Sequence, residues 1–349
     1  MYSFLFGLLS LVFPPMPQSF WPAEEAELLF AGDAMQHKSQ LDAARSRGSY
    51  DYSGCFDAIT PYVSSADYAI VNFEASIGGK PHTGYPCFSA PEEYASALVD
   101  AGFDYFLLAN NHILDRRDKG LHRTINTLDA LEIPHSGIYH DAAARDSLCP
   151  ELIYVNGFSI AMLNYTYGTN GITIQGSAVV NYIDTDNIAR DCARARARGA
   201  DLICVCIHWG EEYRLLPNMR QRELADKLVS MGVDMVIGGH PHVIQPMEMR
   251  PRPDGTQALV VYSLGNFMSG MRTDDTRGGA MVRVKLKRGS DRRAYVDSAY
   301  YALVYVDPDF RLVPVTAATD VRAKKFKHNA EAIFDRYNIG VPPDSEFMK

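Results

Sequence analysis

Six side chains of the types that bind divalent metal ions are spread between positions 33 and 242. They are two carboxylates, one amide and three imidazoles: Asp33, Glu74, Asn111, His208, His240 and His242. Taken singly, each has an ordinary explanation as a helix cap, a turn residue or a hydrogen-bonded histidine. Together they offer mixed nitrogen and oxygen ligands, which suit zinc, manganese or iron, whereas calcium prefers shells of oxygen alone.

Two features of this set favour a centre with two metal ions. His240 and His242 are separated only by Pro241, so each imidazole can serve one of two adjacent ions. A carboxylate can bridge two cations through its two oxygens. Two ions about 3.5–4 Å apart can activate water and clamp a phosphoryl oxygen, which predicts hydrolytic chemistry.

The elements that must position these residues are short apolar runs typical of buried strands. The runs are Glu27–Gly32, Tyr68–Phe73, Phe103–Ala109, Phe158–Tyr165, Leu202–Ile207, Val233–Ile237 and Leu259–Leu264. Ligand-type residues follow five of them directly. Because ligands of open α/β sheets bind outside the carboxyl ends of the strands, we expect these side chains to meet at one edge.

Helical patterns lie between several of the strands, at Ala90–Ala101, Gly120–Leu131, Thr185–Arg198 and Asn218–Met231. This alternation predicts an α/β layered fold with a largely parallel sheet. Two later strand-like runs, Ala280–Leu286 and Ala294–Val306, have no helix between them and could supply antiparallel strands to a second sheet. We expect one large domain at 26–318 and a helical tail at 319–349.

Composition limits the functional classes. The 349 residues are 47% hydrophobic and 22% charged, with a net charge of −8, which argues against a general nucleic-acid binder. Cys204 and Cys206 point to the same face of a buried strand, where cysteine behaves as a small hydrophobe. Unpaired structural thiols are the favoured interpretation, and a disulfide among the other four cysteines stays open.

The N-terminal segment, residues 1–25, is treated separately from the fold. The run from Tyr2 to Phe13 is almost entirely apolar and is too short to cross a membrane comfortably. Its length is that of a signal-peptide core, although it lacks a preceding basic residue and a clear cleavage site. We interpret it as a degenerate export signal, which predicts a periplasmic or envelope location. A packed N-terminal segment, a wrong start and a cytoplasmic location are the alternatives.

Residues 27–270 resemble the capsule-synthesis protein CapA/PgsA family, which is similar to the calcineurin-like metallophosphoesterases. The segments that carry the resemblance are FAGDAMQ (30–36), VNFE (71–74), ANNHILD (109–115), HWGEEY (208–213), GGHPHVIQ (238–245) and YSLGNF (262–267). The resemblance implies a four-layer α/β/β/α sandwich and a dinuclear centre of manganese, zinc or iron.

The resemblance also implies a role for each residue of the site. Asp33 would bind the first ion together with His242, and Glu74 would bridge both ions. The second ion would be held by Asn111, His208 and His240. His112 would protonate the leaving oxygen or stabilise the phosphoryl group, and Asp115 would hold the His112 imidazole in one orientation. Glu212 and Tyr213 would lie near the site as substrate-binding candidates. Apart from the resemblance, Asn266 follows another strand and could contact the substrate.

This sequence departs from the wider superfamily at two positions. The superfamily opens with Asp-x-His, whereas the histidine here is His37, four residues after Asp33. His37 is interpreted either as a further metal ligand or as a hydrogen-bond donor in the pocket. The usual bridging aspartate is replaced by Glu74, and the extra methylene can loosen or enlarge the site.

Two functions remain open from the sequence. One is a metal-dependent hydrolase that acts on a phosphoester or another anionic small molecule or polymer, linked to capsule or poly-γ-glutamate metabolism. The other is a non-hydrolytic or transferase accessory protein that works with membrane-bound components of envelope polymer synthesis. A degenerate binding module is disfavoured because the full set of ligand residues is present.

Overall fold

The computed structural model describes residues 25–347. The expected export signal, residues 1–25, therefore lies outside the described residues, except for Glu25. Two β-sheets form the centre of the molecule. The first contains β1 (Glu25–Ala34), β4 (Tyr68–Phe73), β5 (Tyr105–Leu107), β6 (His135–Ser136), β15 (Asn266–Met268), β16 (Gly278–Arg288), β17 (Ala294–Val306) and β18 (Leu312–Pro314). The second contains β8 (Glu151–Val155), β9 (Phe158–Thr166), β11 (Leu202–His208), β12 (Met235–Gly239), β13 (Ile244–Pro251) and β14 (Gln257–Leu264).

Two small two-stranded sheets and eight α-helices make up most of the rest of the described chain. β2 (Arg45–Ser46) and β3 (Ser49–Tyr50) form a hairpin, whereas β7 (Ile138–Tyr139) pairs antiparallel with the distant β10 (Val179–Val180). The helices are α1 (Lys38–Ala44), α2 (Thr60–Val63), α3 (Glu92–Asp100), α4 (Arg117–Ala130), α5 (Ala142–Leu148), α6 (Thr185–Ala197), α7 (Met219–Ser230) and α8 (Val321–Tyr337).

The molecule has four layers: helices, the first sheet, the second sheet and further helices. Three hydrophobic clusters separate them. Side chains alternate along each strand, so Leu28 and Phe30 of β1 face the other sheet while Leu29 and Ala31 face the helices. The inner cluster also contains Cys204 and Cys206, whose sulfur atoms lie 3.7 Å apart. Helices α3 and α4 cover the first sheet and α6 and α7 cover the second. The structure therefore confirms the four-layer α/β/β/α sandwich.

The strands that lead to the site are parallel within each sheet. In the first sheet β1, β4, β5 and β6 run parallel, and in the second β9, β11, β12 and β14 do so. Antiparallel strands complete the sheets, with β16 beside β1, and with β8 and β13 at the outer edges of the second. The runs Ala280–Leu286 and Ala294–Val306 are antiparallel strands, as expected, but the expectation that they belong to a second sheet is wrong. They extend the first sheet because β16 pairs with the free edge of β1 from Glu25↔Lys287 to Ala31↔Met281.

The C-terminal helix lies against the edge of the sandwich. Phe326 and Phe334 of α8 are buried in the inner cluster. After the helix, the chain returns to the first sheet, where Tyr301 pairs with Pro343 and the Asp344 carboxylate lies 3.3 Å from Nε of buried Arg283. Within residues 25–347, all six cysteines are free, and no helix is long and apolar enough to cross a membrane.

Candidate metal centre

The site lies where the carboxyl ends of the parallel strands of both sheets meet. Asp33 is the second-last residue of β1, Glu74 directly follows β4, and His208 is the last residue of β11. Asn111 follows β5, and the His240-Pro241-His242 segment follows β12. A register shift in β1 at Gly32 accompanies this arrangement, as β-bulges often do beside active sites. The six side chains are buried, with exposures between 0% and 3%.

The ligand atoms converge on Glu74. Nε2 of His208 lies 2.8 Å from Oδ1 of Asn111 and 3.4 Å from Oε1 of Glu74. On the other side, Nε2 of His242 lies 3.9 Å from the same glutamate oxygen, and Nδ1 of His242 lies 3.3 Å from Oδ2 of Asp33. Two sets of three donor atoms lie close enough to surround an ion, Glu74–His240–His242 and Asp33–Glu74–His208, and Glu74 belongs to both.

Glu74 is fully buried, and neither of its carboxylate oxygens has a hydrogen-bond partner. Burial, and then the charge of Asp33, raise its pKa well above the ordinary value for glutamate. An unpaired buried carboxylate is costly unless a cation compensates it. Nδ1 of His240 is also buried and unpaired. The donor chemistry and these unpaired atoms therefore fit divalent cations.

The histidines of the centre differ in protonation. Burial lowers the pKa of His208 to about 3 and that of His240 to about 2, so both imidazoles are neutral at pH 7. Neutral imidazole is the form that ligates metals. Burial by itself would lower the pKa of His242. The negative charges of Glu74 and Asp33 outweigh this effect of burial and raise the His242 pKa to about 9. Burial would raise the pKa of Asp33, yet His242 and His208 bring it down to about 2.

The His240-Pro241-His242 segment has an uncommon backbone. His240 and His242 have φ angles of 97° and 57°, in the left-handed region that costs a residue other than glycine about 1–3 kcal/mol. The backbone N–H of His240 donates to Oδ2 of Asp33 at 3.2 Å, which ties the segment to β1. At the preceding Gly239, an added Cβ would lie 2.7 Å from Oδ1 of Asp33. The close approach of β12 to Asp33 therefore requires glycine there.

His112 and Asp115 form a buried pair beside the centre. Nδ1 of His112 and Oδ2 of Asp115 lie 2.9 Å apart, and the backbone N–H of Phe88 donates to the same oxygen at 2.7 Å. The Phe88 ring packs edge-on against the imidazole with centroids 4.6 Å apart. The sequence prediction that Asp115 could orient His112 is consistent with this geometry, whereas their catalytic roles stay predictions.

His37 lies next to the centre but belongs to neither set of three donors. Its Nδ1 accepts a hydrogen bond from the backbone N–H of Gly270 at 3.1 Å, and its ring contacts Phe88 edge-on. Burial lowers the His37 pKa to about 4, so the neutral ring carries its proton on Nε2. This arrangement suits the hydrogen-bond donor that was one of the two alternatives, and metal ligation by His37 stays a prediction.

The three residues expected at the substrate occupy different positions. Glu212 and Tyr213 are exposed, and the Tyr213 ring lies 6.3 Å from that of His242. Asn266 is completely buried: its Oδ1 lies 3.1 Å from Nδ1 of His242, and its Nδ2 donates to the Thr276 carbonyl. The contacts of Asn266 therefore position His242, and a direct contact with substrate stays a prediction.

Several asparagines around the centre were missed from sequence. Nδ2 of Asn72 donates to Oδ1 of Asp33 at 2.7 Å. Oδ1 of Asn164 accepts from the backbone N–H groups of Leu108 and Ala109, and so joins the two sheets behind the site. Asn72 precedes Glu74 by two residues, and side chains two apart on a strand share a face, so this spacing was a usable signal.

A solved structure of another protein has the same fold as this chain. A putative 5'-nucleotidase from Staphylococcus aureus superimposes with a TM-score of 0.52 and 17% identity, over 88% of this chain and 58% of that one. Together with the two packed sheets, this likeness defines a fold of the metallophosphoesterase type.

The chain belongs to the bacterial capsule synthesis protein family PGA_cap, whose model matches residues 27–271. A capsule biosynthesis protein CapA from Bacillus anthracis is 29% identical over 277 residues, which are 76% of this chain but only 64% of that protein. A PGA biosynthesis protein CapA from Bacillus subtilis is 29% identical over 272 residues, or 76% of this chain and 68% of the relative. The family resemblance expected from the sequence is thereby confirmed.

Proposed function

We propose that this protein is a metal-dependent hydrolase with a dinuclear centre, and that it acts on a phosphoester or related anionic substrate in capsule or poly-γ-glutamate metabolism. The observation that carries the proposal is Glu74, a fully buried carboxylate with two unpaired oxygens that belongs to both sets of donors. A bridging carboxylate between two cations has these properties.

The ligands can divide between two ions in one of two ways. The family resemblance assigns Asp33 and His242 to one ion and Asn111, His208 and His240 to the other. The two sets of three donor atoms instead group His242 with His240 and Asp33 with His208, whose Nε2 lies 2.8 Å from Oδ1 of Asn111. Glu74 is assigned to both ions. Manganese, zinc and iron all suit this ligand set.

Two divalent ions bound there would activate water and neutralise charge on a phosphoryl group. The remaining work falls to the chain's own residues. Asp115 accepts the Nδ1–H of His112, so Nε2 points away from that carboxylate; the doubly protonated ring would donate its Nε2–H to the leaving oxygen and return to the neutral form. Asn72 and Asn266 hold Asp33 and His242 in their observed orientations.

Metal analysis of matched variants, combined with an activity screen, tests the proposal. Purified protein should carry about two divalent ions per chain, and Glu74→Gln should lose both because the bridge is gone. His112→Asn should keep its metal and lose turnover by about 10²–10⁴-fold. Metal-loaded protein that hydrolyses nothing in a broad panel of phosphoesters, anhydrides and amide-linked polymers would overturn the hydrolase.

A second function is favoured by the names of the relatives, which concern biosynthesis of capsule and of PGA. Under this alternative, the chain is a non-hydrolytic or transferase accessory protein that binds a polymer end beside membrane-bound synthesis components. Stable co-purification with such components, and loss of polymer when the chain is deleted but not in His112→Asn, would support it over the hydrolase. Both functions fit an extracytoplasmic location, which fractionation of cells would test.

A further inference from the structure

Three exposed tyrosines surround the mouth of the centre, each beside a different histidine. The ring centroid of Tyr167 lies 4.5 Å from that of His240, whereas Tyr213 lies 6.3 Å from His242 and Tyr85 lies 6.3 Å from His112. These tyrosines are 46%, 54% and 68% exposed, respectively. Large aromatic rings left this exposed beside a buried polar centre indicate a surface that a ligand covers.

Backbone contacts fasten two of these rings to the ligand-bearing loops. The N–H of Tyr167 donates to the carbonyl of His208 at 3.0 Å, and the N–H of Tyr213 donates to the carbonyl of Pro241 at 2.8 Å. Tyr213 has a φ of 65°, so its ring is held there against the ordinary backbone preference. The three rings come from three separate loops, and their placement relative to the centre is therefore set by the fold.

One exposed carboxylate, that of Glu212, lies at this mouth. Glu212 acts electrostatically on the hydroxyls of Tyr167 and Tyr213 and on His208 and His242. A carboxylate in this position repels a second anionic group on the substrate, although it can accept hydrogen bonds from hydroxyl or amino groups. This carboxylate therefore favours an uncharged group on the part of a ligand that lies on the rim.

We infer that Tyr85, Tyr167 and Tyr213 form a stacking rim that selects substrates with an uncharged ring, a sugar or a nucleobase, next to the reacting group. Tyrosine faces stack on flat or cyclic groups, and the phenol hydroxyls with Glu212 hydrogen-bond the ring substituents. This inference rests on the proposed function in one respect only, namely that the reacting group is a phosphoester or a related anionic group.

A binding experiment without metal tests the rim independently of catalysis. Saturation-transfer NMR on metal-free protein would use methyl glucoside and adenosine as probes, so that the two arms separate a sugar from a base. We expect one of them to bind, and Tyr167→Ala or Tyr213→Ala to weaken that binding about tenfold. The Tyr→Phe variants should retain most of it because they keep the ring. Failure of both probes to bind, or unchanged binding in the alanine variants, would overturn the inference.

Tyr154 provides a matched control. It is 73% exposed on β8, where it pairs with Ser159 at the amino end of β9, the opposite end of the sheet from His208. Tyr154→Ala should therefore leave probe binding unchanged. If it weakens binding as much as the rim variants do, the signal comes from nonspecific contact with surface tyrosines and the inference fails.

Kinetics with metal-loaded protein add a second readout. The preference, in kcat/KM, for glucose 6-phosphate or adenosine monophosphate over glycerol 3-phosphate should fall about tenfold in the alanine variants. An equal loss on ring-bearing and ringless esters would contradict selection by the rim. If the unmodified protein hydrolyses none of the broad panel described above, the proposed hydrolase fails, and the NMR result still decides the rim.

Discussion

Nδ1 of His112 and Oδ2 of Asp115 lie 2.9 Å apart in a part of the site where their side chains are only 4% and 2% exposed. Because the same carboxylate oxygen accepts the backbone N–H of Phe88, its position is set from two directions. The carboxylate favours the tautomer with the proton on Nδ1. The imidazole is therefore oriented before any substrate arrives.

Replacing Asp115 by Asn should impair the proton transfer proposed for His112. The amide lacks the negative charge that stabilises the doubly protonated ring, and its N–H₂ group can donate to Nδ1, so the form that gives a proton from Nε2 is disfavoured. We expect kcat to fall about 10²-fold while metal content stays unchanged. Steady-state kinetics and metal analysis measure the two effects, with Asp129→Asn on α4 as an exposed control. Unchanged kcat in the Asp115 variant would exclude an orienting role.

Metal removal should lower thermal stability. At a free metal concentration about 100 times its Kd, each bound ion stabilises the folded state by about 2.7 kcal/mol, which corresponds to about 4 °C in the melting temperature of a chain of this size. We expect a chelator to abolish this increment and added manganese or zinc to restore it. Glu74→Gln should show no metal-dependent shift, and a full shift in that variant would rule out Glu74 as a ligand.

Gly239→Ala should disturb the centre without replacing a ligand. The new Cβ would lie 2.7 Å from Oδ1 of Asp33 and 3.4 Å from Nδ2 of Asn72, so it would displace the carboxylate. We expect metal affinity to fall and the free energy of unfolding to decrease by about 1–3 kcal/mol. Gly168→Ala is the control because a Cβ there meets no atom within 4 Å. Calorimetric titration with metal compares the two, and equal affinities would show that Asp33 has room to move.

Arg283 should matter for stability and not for the site. Its side chain is 3% exposed, ion-pairs with Glu27 at 2.7 Å and lies 4.3 Å from the Tyr62 ring centroid. Loss of a buried arginine leaves its partners unpaired, so Arg283→Leu should cost about 3 kcal/mol in urea unfolding. Lys285→Ala removes a more exposed partner of the same glutamate and should cost less than about 1 kcal/mol. Similar losses in both variants would contradict this ranking.

Apolar periodicity predicted most of the elements that carry the site. The run Tyr68–Phe73 is the observed strand, and Leu202–Ile207 and Leu259–Leu264 each differ from the observed strand by one or two residues at an end. β5 is shorter than expected, Tyr105–Leu107: the N–H of Leu108 is shared between the Ser136 carbonyl of β6 and the side chain of Asn164, and the N–H of Ala109 donates to that side chain alone. β13 was missed because IQPMEMRP contains two prolines and two charges, which weaken a strand pattern.

The sequence by itself determined that ligand-type residues follow separate strands, because hydrophobic alternation and strand ends are local properties that a linear pattern records. It also determined the pair His112 and Asp115, which lie three residues apart. Only the tertiary structure decided that Glu74 lies between the donors of both proposed ions and that Tyr85, Tyr167 and Tyr213 border one mouth. The contact between His240 and Asp33 joins residues 207 positions apart. Such contacts depend on how two sheets pack and where their strands end in space, which the spacing of residues along the chain does not encode.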